Sequence, residues 1–208
     1  MKRNTLLIAV CFATFLFIIV HKARAQQSSE DTISTLTGDQ CETSIAIDPT
    51  DDSILWCTWY DFGDNVKPAY AYTTDGGSTW STGTRLRQGY FRGENCSGAI
   101  DSDGNAYLCY FARQNVTKYR RVIVSKTTNG GDDWERDEEV WSGTYDDKPY
   151  IAVDNTGGDY DGYVYVSWTE CPEEVGCNKI LFSYSSDGGA NFSQPETLDV
   201  TQGEPGSG

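Results

Sequence analysis

The sequence has very little histidine, methionine and positive charge. Its 208 residues include one His and one Met, and 16 Lys and Arg stand against 31 Asp and Glu. The single histidine is His21, and no cysteines have the C-x2-C spacing of a zinc site, so we predict no zinc and no cofactor, with Ca²⁺ in one acid-rich loop as the alternative. The formal net charge of −15 leaves no broad cationic surface, so we predict that neither nucleic acid nor an anionic membrane is a partner.

Long apolar runs are also absent beyond the N-terminus. Lys2 and Arg3 precede an apolar run at residues 6–20, and residues 23–25 read Ala-Arg-Ala, the A-x-A pattern of a signal peptidase site. The run is shorter than the roughly 20 residues that span a membrane. We therefore predict a signal peptide at residues 1–25 and a secreted, periplasmic or extracellular protein without membrane contact after cleavage. An uncleaved anchor is the alternative.

Cysteine, in contrast, is plentiful, with seven residues. Cys11 lies inside the predicted signal, and the six that remain in an exported chain predict disulfides. Cys171 and Cys177 flank a short polar loop and form the predicted pair. The other four allow three pairings, which the sequence does not distinguish: Cys41, Cys57, Cys96 and Cys109.

An eight-residue pattern occurs three times in the chain. Residues 73–80 read TTDGGSTW, residues 127–134 read TTNGGDDW and residues 185–192 read SSDGGANF. The third residues of the copies are 129 − 75 = 54 and 187 − 129 = 58 positions apart. Three strands rich in aromatic and β-branched residues precede each copy, and a less regular one follows it. Four antiparallel strands at this period predict an all-β fold made of propeller blades.

The predicted blades occupy roughly residues 39–88, 92–142 and 146–200, and residues 201–208 would begin another blade or a linker. Within each repeat, Gly supplies a positive φ, Asp or Asn accepts hydrogen bonds from the turn, and the closing aromatic ring packs beneath it. We therefore predict structural rather than catalytic roles for nine residues: Asp75, Gly77, Trp80, Asn129, Gly131, Trp134, Asp187, Gly189 and Phe192.

The pattern S/T-x-D-x-G-x-T-W resembles the Asp box, or BNR repeat, of the sialidase superfamily. The second copy departs from it at Asn129 and Asp133, and the third departs at Asn191 and Phe192. The resemblance implies a sialidase-like propeller of six blades, so about three blades are expected to be a fragment. Self-association of two copies into one ring is the alternative. Asp boxes also occur in xyloglucanases, sortilin-type receptors and photosystem assembly factors, so the motif indicates a fold rather than a reaction.

Candidate site residues lie where the first strand of each blade starts and the second strand ends. These ends should open onto one face of the propeller because the two strands are antiparallel. The candidate catalytic residues are Asp61, Glu94, Arg113, Asp147 and Glu170. The candidate binding residues are Glu42, Tyr60, Lys148 and Tyr150. Carboxylates can act as general acid or base, and aromatic rings can stack on sugars. Alternatively, these are ordinary polar strand ends that face water.

The sialidase resemblance implies an arginine clamp for a substrate carboxylate and a Tyr/Glu nucleophile pair in later blades. Only Arg113 stands at a plausible clamp position, and residues 26–40 contain no Arg. We therefore expect the fragment itself to be inactive. Two hypotheses follow: an exported sialidase-like glycosidase that acts on glycans, or a non-catalytic propeller that binds a glycan or an extracellular protein.

One acid-rich loop suggests a calcium site. Its carboxylates are the oxygen ligands that Ca²⁺ prefers, although acidic residues are equally typical of turns. The candidate ligands are Asp154, Asp159 and Asp161.

Overall fold

The computed structural model describes residues 32–63, 66–114, 119–143, 145–172 and 176–199. The predicted signal peptide and residues 201–208 lie outside these ranges. All elements belong to the unit formed by residues 33–208. The described residues form twelve strands and no helix, which confirms the all-β prediction. Within these ranges, no helix is long and apolar enough to span a bilayer.

The strands form three antiparallel sheets of four, and in each sheet the spatial order follows the chain. The first sheet contains β1 (Gln40–Ile47), β2 (Leu55–Asp61), β3 (Lys67–Thr73) and β4 (Ser81–Thr84). The second contains β5 (Arg92–Ile100), β6 (Ala106–Arg113), β7 (Arg120–Thr127) and β8 (Arg136–Gly143). The third contains β9 (Asp147–Val153), β10 (Val164–Glu170), β11 (Lys179–Ser185) and β12 (Glu196–Asp199). Each sheet is a four-stranded meander, which is the blade of a propeller.

The core lies between the blades. Leu108 and Tyr110 of β6 pack in a cluster with the first sheet, whereas Tyr107 and Phe111 pack in a cluster with the third sheet. Alternate side chains of a strand point to opposite faces, so the central blade contributes to both clusters. The sequence of β6 is almost continuously apolar because the strand is buried on both faces.

The three copies of the repeat form the turns between the third and fourth strands, called box turns 1, 2 and 3 below. In box turn 1, Gly76 and Gly77 have φ values of 67° and 89°. Asp75 Oδ1 accepts hydrogen bonds from Thr79 N at 2.8 Å and from Thr73 Oγ1 at 2.7 Å. The hydrogen bonds from Thr79 and Thr73 lower the pKa of Asp75 to about 2. The carboxylate thus acts within its own turn.

The glycines of box turn 2 also accommodate the neighbouring blade, which the sequence analysis did not anticipate. Tyr70 OH of the first blade donates a hydrogen bond to Gly131 O at 2.9 Å. A Cβ atom on Gly130 would overlap the ring of Tyr72, and one on Gly131 would overlap Tyr70. Box turn 2 therefore joins adjacent blades as well as strands.

We expect Gly130→Ala to destabilise the protein more than Gly76→Ala, although both residues have a φ of 67°. A Cβ atom on Gly76 would have no neighbour within 4 Å, so that substitution should cost only the roughly 1–2 kcal/mol of left-handed backbone strain. Gly130→Ala should cost about 2 kcal/mol more because its methyl group displaces Tyr72. Urea denaturation at high dilution measures both losses. Equal losses would show that contact between blades does not constrain the turn.

Cysteine pairing matches the sequence analysis in part. Cys171 and Cys177 form the predicted disulfide. The expectation of further disulfides is wrong for this structure, in which the other four cysteines are free. Three of them contribute to three different clusters of the core, and Cys41 lies at the edge of the cluster of Cys96. The three that occupy separate clusters are Cys57, Cys96 and Cys109.

Candidate functional site

Strand pairing brings the predicted site positions to one end of the blades. Gln40 at the start of β1 pairs with Asp61 at the end of β2. Arg92 at the start of β5 likewise pairs with Arg113 at the end of β6. Because the box turns connect the third and fourth strands at their other ends, the candidate residues lie opposite the turns. The predicted juxtaposition of strand starts and strand ends is confirmed.

Each first strand carries a bulge near this end. The pairing register shifts between Cys41 and Ser44 in β1. It shifts likewise between Glu94 and Ser97 in β5, and between Asp147 and Tyr150 in β9. One residue in each bulge has left-handed backbone: Glu42, Asn95 and Lys148, with φ values of 56°, 48° and 49°. They are the non-glycine residues with positive φ in the described chain.

These residues are spaced by 95 − 42 = 53 and 148 − 95 = 53 positions, so the bulge repeats once per blade. Left-handed backbone costs a non-glycine residue about 1–2 kcal/mol. Bulges redirect side chains, and retained strain is typical of functional sites. The same strained feature in three blades therefore points to a shared role.

The three bulges line one cavity of about 200 Å³, formed by residues 42–44, 95–96 and 148–150. We call it the axial pocket, since it lies among the first strands of all three blades. Glu42, Asn95 and Lys148 give it an acid, an amide and a base, and Tyr150, which is 61% exposed, adds an accessible ring. Burial raises the pKa of Glu42, and Lys148 opposes this shift.

Three arginines gather around one buried carboxylate beside the axial pocket. Glu94 is 6% exposed. Arg92 pairs with its Oε1 atom. Arg113 Nη2 and Arg120 Nη2 lie 3.3 Å and 3.7 Å from its Oε2 atom. Glu94 therefore keeps three positively charged side chains close together in an otherwise acidic protein.

This arginine network extends to the rim of the axial pocket. Arg120 Nη1 donates a hydrogen bond to the Asp146 carbonyl oxygen at 2.5 Å and lies 3.8 Å from Asp147 Oδ1. Asn95 Nδ2 donates to the same Asp147 carboxylate. The network therefore supports two of the three blades that form the pocket.

Asp146 is an isolated acid at the edge of this network. It is fully buried, and neither carboxylate oxygen has a hydrogen-bond partner among the described residues. Burial and the charge of Glu170 raise the pKa of Asp146 to about 7, while the nearby backbone N–H of Cys171, beyond ideal hydrogen-bond geometry, and the charge of Arg120 oppose the shift. Glu170 itself pairs with Lys179 Nζ at 2.8 Å. Asp146 is thus positioned to change charge near neutral pH.

The predicted site residues fall into three groups. The axial pocket contains Glu42, Lys148 and Tyr150. The arginine network contains Glu94, Arg113, Asp147 and Tyr60, whose hydroxyl accepts a hydrogen bond from Arg92 Nη2 at 3.2 Å. Two candidates lie in neither group: Asp61 is buried beside Gly38 and Gly63, and Glu170 pairs with Lys179.

Three residues that contribute to the site were not among the predicted positions: Arg92, Asn95 and Arg120. Asp146 adjoins the predicted Asp147 but was not selected as a candidate. Asn95 could have been found from the 53-residue spacing, which links it to Glu42 and Lys148. Arg120 lies at the start of a third strand, so an inspection of first and second strands alone overlooks it. Arg92 and Arg120 therefore lie beside Arg113, the one arginine that the sequence placed at a plausible clamp position.

The proposed calcium loop uses its carboxylates for internal hydrogen bonds. Asp154 Oδ1 accepts bonds from Thr156 N and Thr156 Oγ1 at 2.9 Å and 2.6 Å, and Asp161 Oδ1 accepts one from Gly157 N at 2.9 Å. Within the described ranges, no group of three or more His, Cys, Asp or Glu side chains is arranged to hold a metal. Calcium binding stays a prediction.

Three successive four-stranded meanders, with polar side chains gathered where their first strands begin, define the chain as a β-propeller of the sialidase-like fold. Comparison with known proteins supports this class at the level of structure. No family model and no curated protein sequence matches the chain.

Several solved glycoside hydrolases share the fold. A Hadza microbial sialidase is 10% identical, with a TM-score of 0.55 over 75% of this chain and 33% of its own length. The leech intramolecular trans-sialidase is 11% identical, with a TM-score of 0.58 over 86% of this chain and 47% of its own. The α-L-arabinanase of Penicillium chrysogenum is 12% identical, with a TM-score of 0.61 over 82% and 54%. The chain thus spans one third to about half of these proteins.

Proposed function

We propose that this chain supplies the glycan-binding axial pocket of an exported propeller that acts on glycans. One observation carries the proposal: the bulge that recurs in three blades directs Glu42, Asn95 and Lys148 into one pocket. An amide, a charged pair and an accessible aromatic ring suit a ligand with many hydroxyl groups. The fold shared with glycoside hydrolases and the disulfide of Cys171 with Cys177 agree with an extracellular role.

Glu42 and Asp147 supply the acid–base chemistry in this proposal. Partial burial raises the pKa of Glu42, whose side chain stays accessible to solvent, so its carboxyl group retains a proton at higher pH than a fully hydrated glutamate does. A general acid of a glycosidase needs that property to protonate the leaving oxygen. Asp147 is held by Asn95 and Arg120 and remains about 41% exposed. It is therefore suited to act as a base or to bind hydroxyl groups.

Hydrolysis is proposed for the whole protein, since this chain spans only a part of its structural neighbours. Lys148 and the arginine network add positive charge on one side of the axial pocket. Such charge would favour glycans that carry a carboxylate over neutral ones.

We expect Tyr150→Ala to weaken glycan binding about tenfold, the effect of losing one stacked ring. The measurement is saturation-transfer NMR on the purified chain with 3′-sialyllactose and arabinobiose, the sugars associated with two of the structural neighbours. Tyr160→Ala is the matched control because Tyr160 is 60% exposed and lies in the loop between β9 and β10, away from the pocket. The proposal fails if neither sugar receives saturation, or if both variants lose binding equally.

A non-catalytic glycan-binding propeller is the second candidate, and Glu42→Gln separates it from the enzyme. In an enzyme, this variant keeps glycan binding but loses hydrolysis in the full-length protein, because the amide carries no acidic proton. In a binding module, neither form hydrolyses the glycan.

A further inference from the structure

A guanidinium group closes the contact between the first and second blades. Arg85, which follows β4, reaches from the first blade to Asp137 in β8, and its Nε atom donates a hydrogen bond to Asp137 Oδ1 at 3.1 Å. Its Nη2 atom pairs with the other carboxylate oxygen. The guanidinium also lies over the ring of Trp134, 5.1 Å from the ring centre. A carboxylate and an aromatic ring together stabilise an arginine in this position.

A different residue stands at the equivalent position of the second blade. The backbone N–H of Arg85 donates to the carbonyl oxygen of Pro68, which lies five residues before box turn 1. Trp141 pairs with Val122, which lies five residues before box turn 2. Trp141 therefore occupies the strand position that Arg85 occupies in the first blade. Its ring turns towards Trp168, with the ring centres 6.4 Å apart.

The contact between the second and third blades contains a cavity at this position. Phe192 closes box turn 3 as Trp134 closes box turn 2, and Pro195 follows three residues later, as Asp137 does in the second blade. The aromatic ring is thus kept, but the carboxylate is not. Trp141, Phe192 and Pro195 line a cavity of about 380 Å³. Its walls are β8 and the segment between β11 and β12, so two blades of the described chain form it without any other part of the protein.

One acid of β8 faces this cavity. Side chains alternate along a strand, and Asp137 and Glu139 both contact arginines that follow β4. Glu138 lies between them and therefore points to the opposite face, where it lines the cavity. No basic side chain of the described ranges forms an ion pair with Glu138. The side-chain amides of Asn191 and Gln194 also line the cavity, which thus combines an aromatic ring, an unpaired carboxylate and hydrogen-bond acceptors.

We propose that this cavity binds the arginine side chain of a partner polypeptide, with the guanidinium group between the ring of Phe192 and the carboxylate of Glu138. The arrangement repeats that of Arg85, Trp134 and Asp137, except that the second blade supplies the acid. A guanidinium suits the cavity better than an ammonium group because its flat face stacks on a ring while its edge pairs with a carboxylate. The formal net charge of −15 attracts a basic segment at longer range. This site is separate from the axial pocket and does not depend on glycan binding.

NMR titration of the ¹⁵N-labelled chain with N-acetyl-arginine methylamide, a blocked arginine, tests the proposal. The expected result is a saturable shift of the indole N–H signal of Trp141 and of the side-chain amide signals of Asn191 and Gln194. The blocked citrulline has nearly the same shape but no charge, so it should bind at least about fivefold more weakly.

Two variants remove the same charge at equivalent strand positions. Glu138→Gln should weaken the binding of blocked arginine about fivefold, the contribution of one accessible ion pair. Glu196→Gln is the matched control. Glu138 pairs with a residue three positions before box turn 2, and Glu196 pairs with one three positions before box turn 3. Because Glu196 lies outside the cavity, its replacement should leave the binding unchanged.

Pro195→Asp should strengthen the binding about fivefold, because it supplies the carboxylate that Asp137 supplies in the contact between the first two blades. Signals that do not move, or that move equally with blocked arginine and blocked citrulline, overturn the proposal. Equal weakening by Glu138→Gln and Glu196→Gln also overturns it. If arabinobiose moves the same signals and blocked arginine does not, the cavity binds a glycan and the proposal is wrong.

Discussion

Replacement of Glu94 by alanine should lower the free energy of unfolding by about 3–5 kcal/mol, the loss typical of breaking a buried ion pair. Glu94 is buried and neutralises charge from Arg92, Arg113 and Arg120. Burial and the charge of Arg113 lower the pKa of Arg120, while Glu94 opposes both effects. Without this carboxylate, the three guanidinium groups would repel one another. Urea denaturation of Glu94→Ala and the wild type measures the loss.

Glu139→Ala is the matched control. Glu139 also contacts two arginines, with Arg121 Nε at 3.1 Å and Arg87 Nη1 at 3.8 Å, but its side chain is 36% exposed. Exposed ion pairs contribute about 1 kcal/mol or less, so the control should cost no more than that. The double variant Glu94→Ala with Arg113→Ala should regain part of the stability because one repelling charge is removed. Equal losses for Glu94→Ala and Glu139→Ala would contradict a structural role for Glu94.

The blade architecture could be predicted from the sequence because it is recorded in local patterns. The GG pairs at residues 76–77, 130–131 and 188–189 have the positive φ values that their turns require. Strands rich in aromatic and β-branched residues precede each pair at a regular interval. These signals depend on short segments, so the strand order and the juxtaposition of strand ends follow from them.

The site could be predicted only to the level of the strand end. Asp61 and Glu94 stand at adjacent ends in neighbouring blades, yet Asp61 is buried beside two glycines while Glu94 binds three arginines. Strand position fixes the face to which a side chain points but not the partners that it meets there. The bulges were missed for a related reason: Glu42, Asn95 and Lys148 share a backbone conformation but no chemistry. Their equivalence is visible only in their spacing.

The sequence does not reveal which box turn lies against a neighbouring blade. Sequence identifies Gly76 and Gly130 as equivalent residues of two turns. It does not show that Tyr72 covers Gly130 while Gly76 has no neighbour within 4 Å, because this difference arises from contacts between blades. Because of such long-range contacts, residues with the same local sequence can be packed against a neighbouring blade in one turn and exposed in another.

Asp146→Asn should remove a marked pH dependence of stability. The pKa of Asp146 is raised from 3.8 to about 7, first by burial and then by the charge of Glu170. The folded state therefore binds a proton more tightly than the unfolded chain. This contribution is fully present below pH about 4 and is lost as pH rises through 7. Between pH 5 and pH 8, the wild type should lose about 2–3 kcal/mol from this group alone.

The measurement compares urea denaturation of Asp146→Asn and the wild type at pH 5 and pH 8. The variant should gain about 2–3 kcal/mol relative to the wild type over this interval. Asp52→Asn, which changes an exposed turn residue, should follow the wild type at both values. If the free energy of unfolding changed equally with pH in Asp146→Asn and in the wild type, the Asp146 carboxyl group would be ionised at both pH values. The Asp146 carbonyl also accepts a hydrogen bond from Arg120, which lies beside Asp147. We therefore expect ionisation of the buried Asp146 side chain to disturb the segment that carries Asp147 and Lys148. The axial pocket should therefore be best ordered below neutral pH, where Asp146 is protonated.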